Sequence, residues 1–186
     1  MRAGRRLALG LASVLLPSGG TDGGPSDFAE TTGGGGDARP SLGGQTGGEL
    51  PDVTLDASDA SDAAGEPLDL GELKGPAVVN LGASWCTPCR KELPYYQAFA
   101  EAHEGSVPVI GIDFQDTQTD RARELVEDTG VSYPLYSDPD GLTRAQVLPR
   151  IVLAGADGEV AHQQYVEIEP VQQRKDLVAD HLGVGR

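Results

Sequence analysis

Basic residues are scarce in this chain. Lys and Arg number 14 against 29 Asp and Glu, leaving a formal net charge of −15 over 186 residues. Nucleic-acid binding depends on Lys and Arg to neutralise phosphates and release counterions, so this balance excludes a nucleic-acid partner. Aromatic residues make up 5%, with three Phe and one Trp, too few for a base-stacking platform. No apolar run approaches the roughly 20 residues of a membrane-spanning helix, and a bundle of such helices is excluded. Hydrophobic content of 38% is low for a packed domain, a shortfall that 26 Gly and 13 Pro explain if they are concentrated in one segment. Cysteine is rarer still, with two in the whole chain. The length suits one acidic domain with extensions, and the chemistry turns on those two sulfurs.

Arg2, Arg5 and Arg6 precede a short apolar run from Leu7 to Leu16, which Pro17 interrupts. A basic start followed by about ten apolar residues is the layout of a secretory signal, here residues 1–18. The surroundings of Leu16-Pro17-Ser18-Gly19 are similar to a lipoprotein signal, but the lipobox cysteine is missing, so no thioether lipid is expected. The chain is therefore expected outside the cytoplasm, either secreted or tethered to the membrane by its N-terminal signal. Arg5-Arg6 is weak evidence for a twin-arginine signal. Residues 19–48 are rich in Gly, Ser, Thr and Asp and include Gly33 to Gly36. Such a tract buries too little apolar surface to offset its ordering entropy and reads as a disordered linker. It either holds the domain off a membrane or wall, or is a remnant without function.

Residues 49–186 alternate between strand and helix signals. Leu50 to Leu55 is a strand candidate, and Leu68 to Leu73 a second short element. Ala77 to Leu81 and Val107 to Ile112 are continuous apolar runs, as strands buried on both faces require. A helix is expected from Thr87 or Pro88 to about His103, with Pro94 as a kink. A second runs from Asp120 to Thr129 and stops at Gly130. Leu135-Tyr136 leads into a turn over Ser137 to Gly141. Asp157-Gly158, between Ile151–Leu153 and Glu159–Ala161, signals a hairpin. Val171 to Leu182 closes the chain as a helix. The pattern specifies an α/β fold, a three-layer sandwich with a central mixed β-sheet flanked by helices.

Cys86 and Cys89 lie where a buried strand gives way to a helix. Cys86 then occupies the helix N-terminus, where free N–H groups and the macrodipole stabilise a thiolate. The thiolate is the attacking species in thiol–disulfide exchange, and Cys89, one turn on, is placed to resolve the mixed disulfide. Pro88 suits the first turn, where a missing N–H is no loss. A structural zinc site lacks ligands, since His103, His162 and His181 are scattered and no second cysteine pair exists. An inert disulfide closes too small a loop to stabilise much. A Cys-x-x-Cys in a strand–helix context is instead a redox signal.

The stretch Asn80-Leu-Gly-Ala-Ser-Trp-Cys-Thr-Pro-Cys-Arg-Lys-Glu-Leu-Pro94 resembles the TlpA/ResA-like branch of the thioredoxin superfamily, the bacterial extracytoplasmic thiol–disulfide oxidoreductases. The resemblance extends from about Glu49 to the C-terminus, with Val109 to Asp113 and Asp138 to Gly141 as further landmarks. It implies a thioredoxin-like fold, Cys86 as the exposed nucleophile and Cys89 as its partner. Where thioredoxin has a buried acid this chain has Asn80. The branch carries instead a Glu after the motif, matching Glu92, one turn from Cys89 and expected as the catalytic carboxylate that exchanges a proton with the Cys89 thiol; the alternative for Glu92 is a solvated helix charge. Leu148-Pro149 resembles the superfamily's cis-proline segment, against an ordinary trans loop proline. The residues expected at the substrate are Trp85, Thr87 and Pro88 beside the pair and Leu148 and Pro149 facing it. Three departures stand out: Arg150 replaces the usual Thr, Leu81-Gly82 an aromatic pair, and residues 141–149 are about one helical turn short. Arg150 is either an attractor of acidic partners or a solvated edge charge.

The expected activity is dithiol–disulfide exchange on exported proteins with no cofactor beyond the Cys86–Cys89 couple. Disulfide-bearing proteins are the expected substrates, and by resemblance apocytochrome c in cytochrome c maturation is one of them. Electrons are expected from a membrane thiol reductase. A monomer is expected. The alternative, from a different class, is extracytoplasmic Cu(I) delivery by soft thiolates and a histidine, for which His162 is the remaining candidate. A peroxidase of related fold fits less well, because the second Cys is so near and no Thr-x-x-Cys is present.

Overall fold

The computed structural model describes residues 44–63, 65–165 and 171–184. Residues 1–18, the expected signal, and 19–43 of the expected linker lie outside the described residues. Seven strands form one sheet in the order β2-β1-β5-β4-β3-β6-β7. They are β1 Thr54–Ala57, β2 Leu68–Asp69, β3 Ala77–Gly82, β4 Val109–Phe114, β5 Leu135–Asp138, β6 Arg150–Ala154 and β7 Val160–Gln164. The helices are α1 Thr87–Ala102, α2 Thr119–Thr129 and α3 Val171–Leu182. β3, β4 and β5 are parallel, while β6, β7, β1 and β2 pair antiparallel, so the sheet is mixed and thioredoxin-like.

The β3-α1-β4 and β4-α2-β5 crossovers step in the same direction across the sheet. Crossovers of one hand stepping one way place their helices on one face. Alternation then sorts the strands. Val78, Val109, Ile151 and Leu153 join Tyr96 and Phe99 of α1, Val126 of α2 and Val178 of α3 in one core. Val79, Leu81, Ile112 and Val152 point the other way, where Leu50, Leu55, Leu70 and Ala145 cover them. That layer is supplied by non-helical chain, because residues 141–149 form no helix among the described residues. Burying a side chain such as Phe99, which is 0% exposed, contributes about 1.5–3 kcal/mol.

Several boundaries move for identifiable reasons. The strand expected from Leu50 begins at Thr54, beyond Pro51, which has no N–H to offer a ladder. β4 begins at Val109, since Pro108 takes part through its carbonyl, accepting from Val78 N–H. Leu68 to Leu73 shortens to a two-residue strand and a turn. Ser137 and Asp138, expected in a turn, stay in β5, paired with Asp113 and Phe114 on one side while β1 holds the other. α1 continues through Pro94 to a cap at His103, whose ring stacks on Phe99 at 4.0 Å. α2 ends where expected, on Gly130 with φ +66°. The linker boundary expected at residue 48 falls within ordered chain, because Gln45 and Gly47 already hydrogen-bond to β7.

Candidate active site

β3 delivers the chain to the site. After Gly82 the backbone turns, with Cys86 N–H donating to the Ala83 carbonyl, and enters α1 with Cys86 as N-cap. The Cys86 sulfur accepts the Cys89 N–H at 3.3 Å, so one of the free donors of the first turn points at this sulfur. Pro88 sits in that turn. Cys86 and Cys89 are joined as a disulfide.

The loop at the end of β4 clasps this turn. Ser84 N–H donates to the Asp116 carboxylate at 2.5 Å, and Trp85 Nε1 donates to the Gln115 carbonyl at 3.4 Å. Trp85 is held by its edge while 46% of it remains exposed. Gly82 explains the loss of the aromatic pair. A Cβ there would stand 3.2 Å from Cys89 Cβ, so the absent side chain lets α1 pack closely on β3.

Cys86 was expected to be exposed, and the structure corrects this: it is 6% exposed and Cys89 4%. Ala83 clusters with the two cysteines and Leu148 packs against that cluster, which covers the pair in its oxidised form. The access route is the groove alongside, about 430 Å³, lined by Trp85, Cys86, Pro88 and Leu148 together with Gln146 and Val147. Four of the anticipated site residues thus meet there. Thr87 is exposed on the first turn but does not line the groove, and Pro149 is buried behind Leu148, with the Leu148–Pro149 peptide bond cis.

Glu92 is no solvated charge. It is 1% exposed and lies 3.5 Å from the guanidinium of Arg174 on α3, itself 0% exposed and 4.0 Å from the Tyr96 ring centre. Spacing put Glu92 beside Cys89, but the small cavity that Cys89 lines has Asn80 and Asp113 in its wall and not Glu92. Asn80 is buried and donates to the Tyr133 hydroxyl at 3.3 Å. Burial pushes the Asp113 carboxyl up to about 7, helped by the charge of Asp116 and a hydrogen bond with it. Asp113 and Asp116 were not recognised as site residues, although an acid ending a buried parallel strand beside the motif strand is a readable sign.

Arg150 does not point into solvent as an edge charge. Its guanidinium donates to Gln163 Oε1 and lies 5.2 Å from the Tyr165 ring centre, and burial lowers its pKa. His162 stacks on His181 at 4.0 Å, on β7, two strands from β3. No group of three or more His, Cys, Asp or Glu is arranged to hold a metal among the described residues.

A sulfur pair at a helix cap, flanked by a groove, is equipped to exchange disulfides. Comparison with known proteins agrees. Residues 46–147 match the AhpC/TSA family. The thiol-disulfide oxidoreductase ResA of Bacillus thuringiensis (strain Al Hakam) is 30% identical over 125 residues, 64% of this chain and 69% of that protein. The thiol:disulfide interchange protein CycY of Rhizobium leguminosarum bv. viciae is 28% identical over 70% of this chain and 75% of its own. A secreted thiol-disulfide isomerase from Corynebacterium glutamicum shares the fold with a TM-score of 0.61, at 23% identity over 82% of this chain and 96% of that one. With the family match spanning more than half its length and the Cys86–Cys89 pair in place, the chain belongs to the AhpC/TSA family of the thioredoxin superfamily, as a thiol–disulfide oxidoreductase of the TlpA/ResA-like branch.

Proposed function

We propose that this oxidoreductase works outside the cytoplasmic membrane and reduces disulfides of exported proteins, with apocytochrome c before haem attachment as the narrower candidate substrate. The observation that carries the reading is the Cys86–Cys89 disulfide at the α1 cap, beside a groove able to receive an extended substrate segment. In the reduced protein, Cys86 thiolate is stabilised by the Cys89 N–H and the helix terminus. It attacks a substrate disulfide, forming a mixed disulfide and releasing one substrate thiolate. Cys89 then attacks the Cys86 sulfur, closing the internal disulfide and releasing the second thiolate. Two electrons leave the pair and two protons end on the substrate thiols.

Leu148, Trp85 and Pro88 would then contact the substrate segment, since all three line the groove beside Cys86. Export rests on the N-terminal basic–apolar pattern and on the secreted character of the C. glutamicum relative. Once outside, the pair is separated from cytosolic reductants, so a membrane thiol reductase must return the two electrons.

Cys89→Ser tests the assignment, because attack survives and resolution does not. Expressed in the native host, it should retain substrate proteins linked through Cys86, identifiable after non-reducing purification. Insulin reduction by this variant at the parental rate would sink the assignment. Equilibrium with glutathione fixes direction: a potential near −120 mV, that of a strong oxidant, would overturn the reductase reading.

A further inference from the structure

Cys89 turns its far side to a cavity of about 50 Å³ between β3, the first turn of α1 and α2. A cavity needs roughly 10–15 Å³ of such volume to hold a water, so this one has room for water. Its polar lining residues are Ser58, Asn80, Ser84 and Asp113, with Leu93, Leu125 and Val126 among the apolar remainder. Ser84 Oγ is buried there with no hydrogen-bond partner among the described residues, so the cavity offers a hydroxyl free to bind water.

Sheet register explains why Asp113 is present. Gly82 and Asp113 are partners across the parallel β3–β4 ladder, and parallel partners face the same side. Gly82 faces Cys89, since a Cβ on it would come 3.7 Å from the Cys89 sulfur. Asp113 is therefore one strand over from Gly82, on the sheet face that Cys89 packs against. Asn80, two residues before Gly82 on the same face, cannot accept a proton at neutral pH.

We propose that Asp113, through water in this cavity, takes the proton from the Cys89 thiol as Cys89 resolves the mixed disulfide. The inference rests on the functional reading above, with Cys86 attacking and Cys89 resolving. The Cys89 S–H proton passes by water to the Asp113 carboxylate. The resulting thiolate forms the Cys86–Cys89 bond and breaks the bond between Cys86 and the substrate. The departing substrate sulfur takes the electron pair and then a proton, and Asp113 returns its own proton to solvent. A base acting through one water needs an acidity near the working pH, and burial holds Asp113 at about 7. Its titratable neighbours are Cys89 on α1 and Asp116 in the loop after β4. α2 contributes only Ala122, Leu125 and Val126 to the cavity, and the chain after β1 contributes Ser58 and Ala60, none of them charged. Glu92, by contrast, engages Arg174.

The test uses the full chain and its Asp113→Asn, Asp113→Ser and Glu92→Gln variants. Each reduced protein is mixed with oxidised glutathione between pH 5 and 9, and resolution is followed by the fluorescence of the single tryptophan, Trp85. The parent should show an inflection near pH 7 in the resolution rate. Both Asp113 variants should lose that inflection and resolve about tenfold or more slowly at pH 7, with Cys86 alkylated by iodoacetamide at the parental rate. An unchanged profile in a folded Asp113 variant, or loss of the inflection in Glu92→Gln alone, would overturn the proposal. Failure of the functional reading shows separately, in proteins that keep Asp113, as a strongly oxidising glutathione equilibrium or an absent Cys89→Ser mixed disulfide.

Discussion

Two carboxylates near the disulfide, Glu92 buried and Asp113 half-buried, are managed in different ways. Glu92 is offset by charge: Arg174 approaches from α3, and the guanidinium also lies over the Tyr96 ring. Removing two such groups from water is costly, and only close pairing and further contacts offset it. Asp113 is withdrawn from water and lies near another acid, Asp116, so its ionised form is disfavoured. That has a consequence for stability. The folded-state value, about 7, lies above the ordinary 3.8, so between these pH values the folded protein binds more protons than the unfolded one. Stability contributed by this group is therefore complete below about pH 4 and falls as pH rises through 7. Urea unfolding of the oxidised protein should show Asp113→Asn gaining stability on the parent between pH 5 and pH 8. A constant difference across that range would mean the carboxyl is not raised. The position of Asp113 at the end of an apolar run marks a candidate acid, but its raised acidity depends on α2 and the β4 loop, which local sequence does not bring beside it.

Elements meet closely where the sequence supplies glycine. Gly111 of β4 lies opposite Leu135 of β5, and a Cβ at Gly111 would run into Leu135 Cδ2. Overpacking of this kind costs about 1–3 kcal/mol, so Gly111→Ala should lower the urea midpoint by a corresponding amount. Parental stability in that variant would show that Leu135 can turn aside without cost. The turn after β5 is held by another buried acid: Asp138, 0% exposed, accepts from Leu142 N–H, Thr143 N–H and the Thr143 hydroxyl. Asp138-Pro-Asp-Gly141 was legible as a landmark, and its part is structural. α1, α2, α3 and the 157–158 hairpin were legible because period, caps and turn residues are local signals. β1 and β2 were blurred because such short strands take their limits from the strands they pair with.

Across the whole molecule, the outer edge of the sheet is covered by chain assigned on composition to a linker. Gln45 exchanges backbone hydrogen bonds with Gln163, Gly47 N–H donates to Val160, and Val160 N–H donates to Gly48. An open edge strand invites pairing with other chains, and these bonds occupy β7. A chain starting at residue 50 should be less stable than one starting at residue 44 by on the order of 2 kcal/mol or more, from four lost backbone bonds at about 0.5–1.5 kcal/mol each. Equal urea midpoints would refute this contribution. Residues 44–48 gave no hint of it, since Gly-rich chain has low strand preference and pairs here only because β7 is available. The amino-acid sequence alone determined the α/β class, the helices and the Cys86–Cys89 couple at a helix start, all of which depend on neighbours a few residues apart. Tertiary structure decided that Cys86 is covered by Leu148, that Glu92 is paired with Arg174, and that Asp113 is the acid sharing a cavity with Cys89. Those facts depend on which distant segments the sheet and its helices bring together, and neither spacing nor periodicity encodes such meetings.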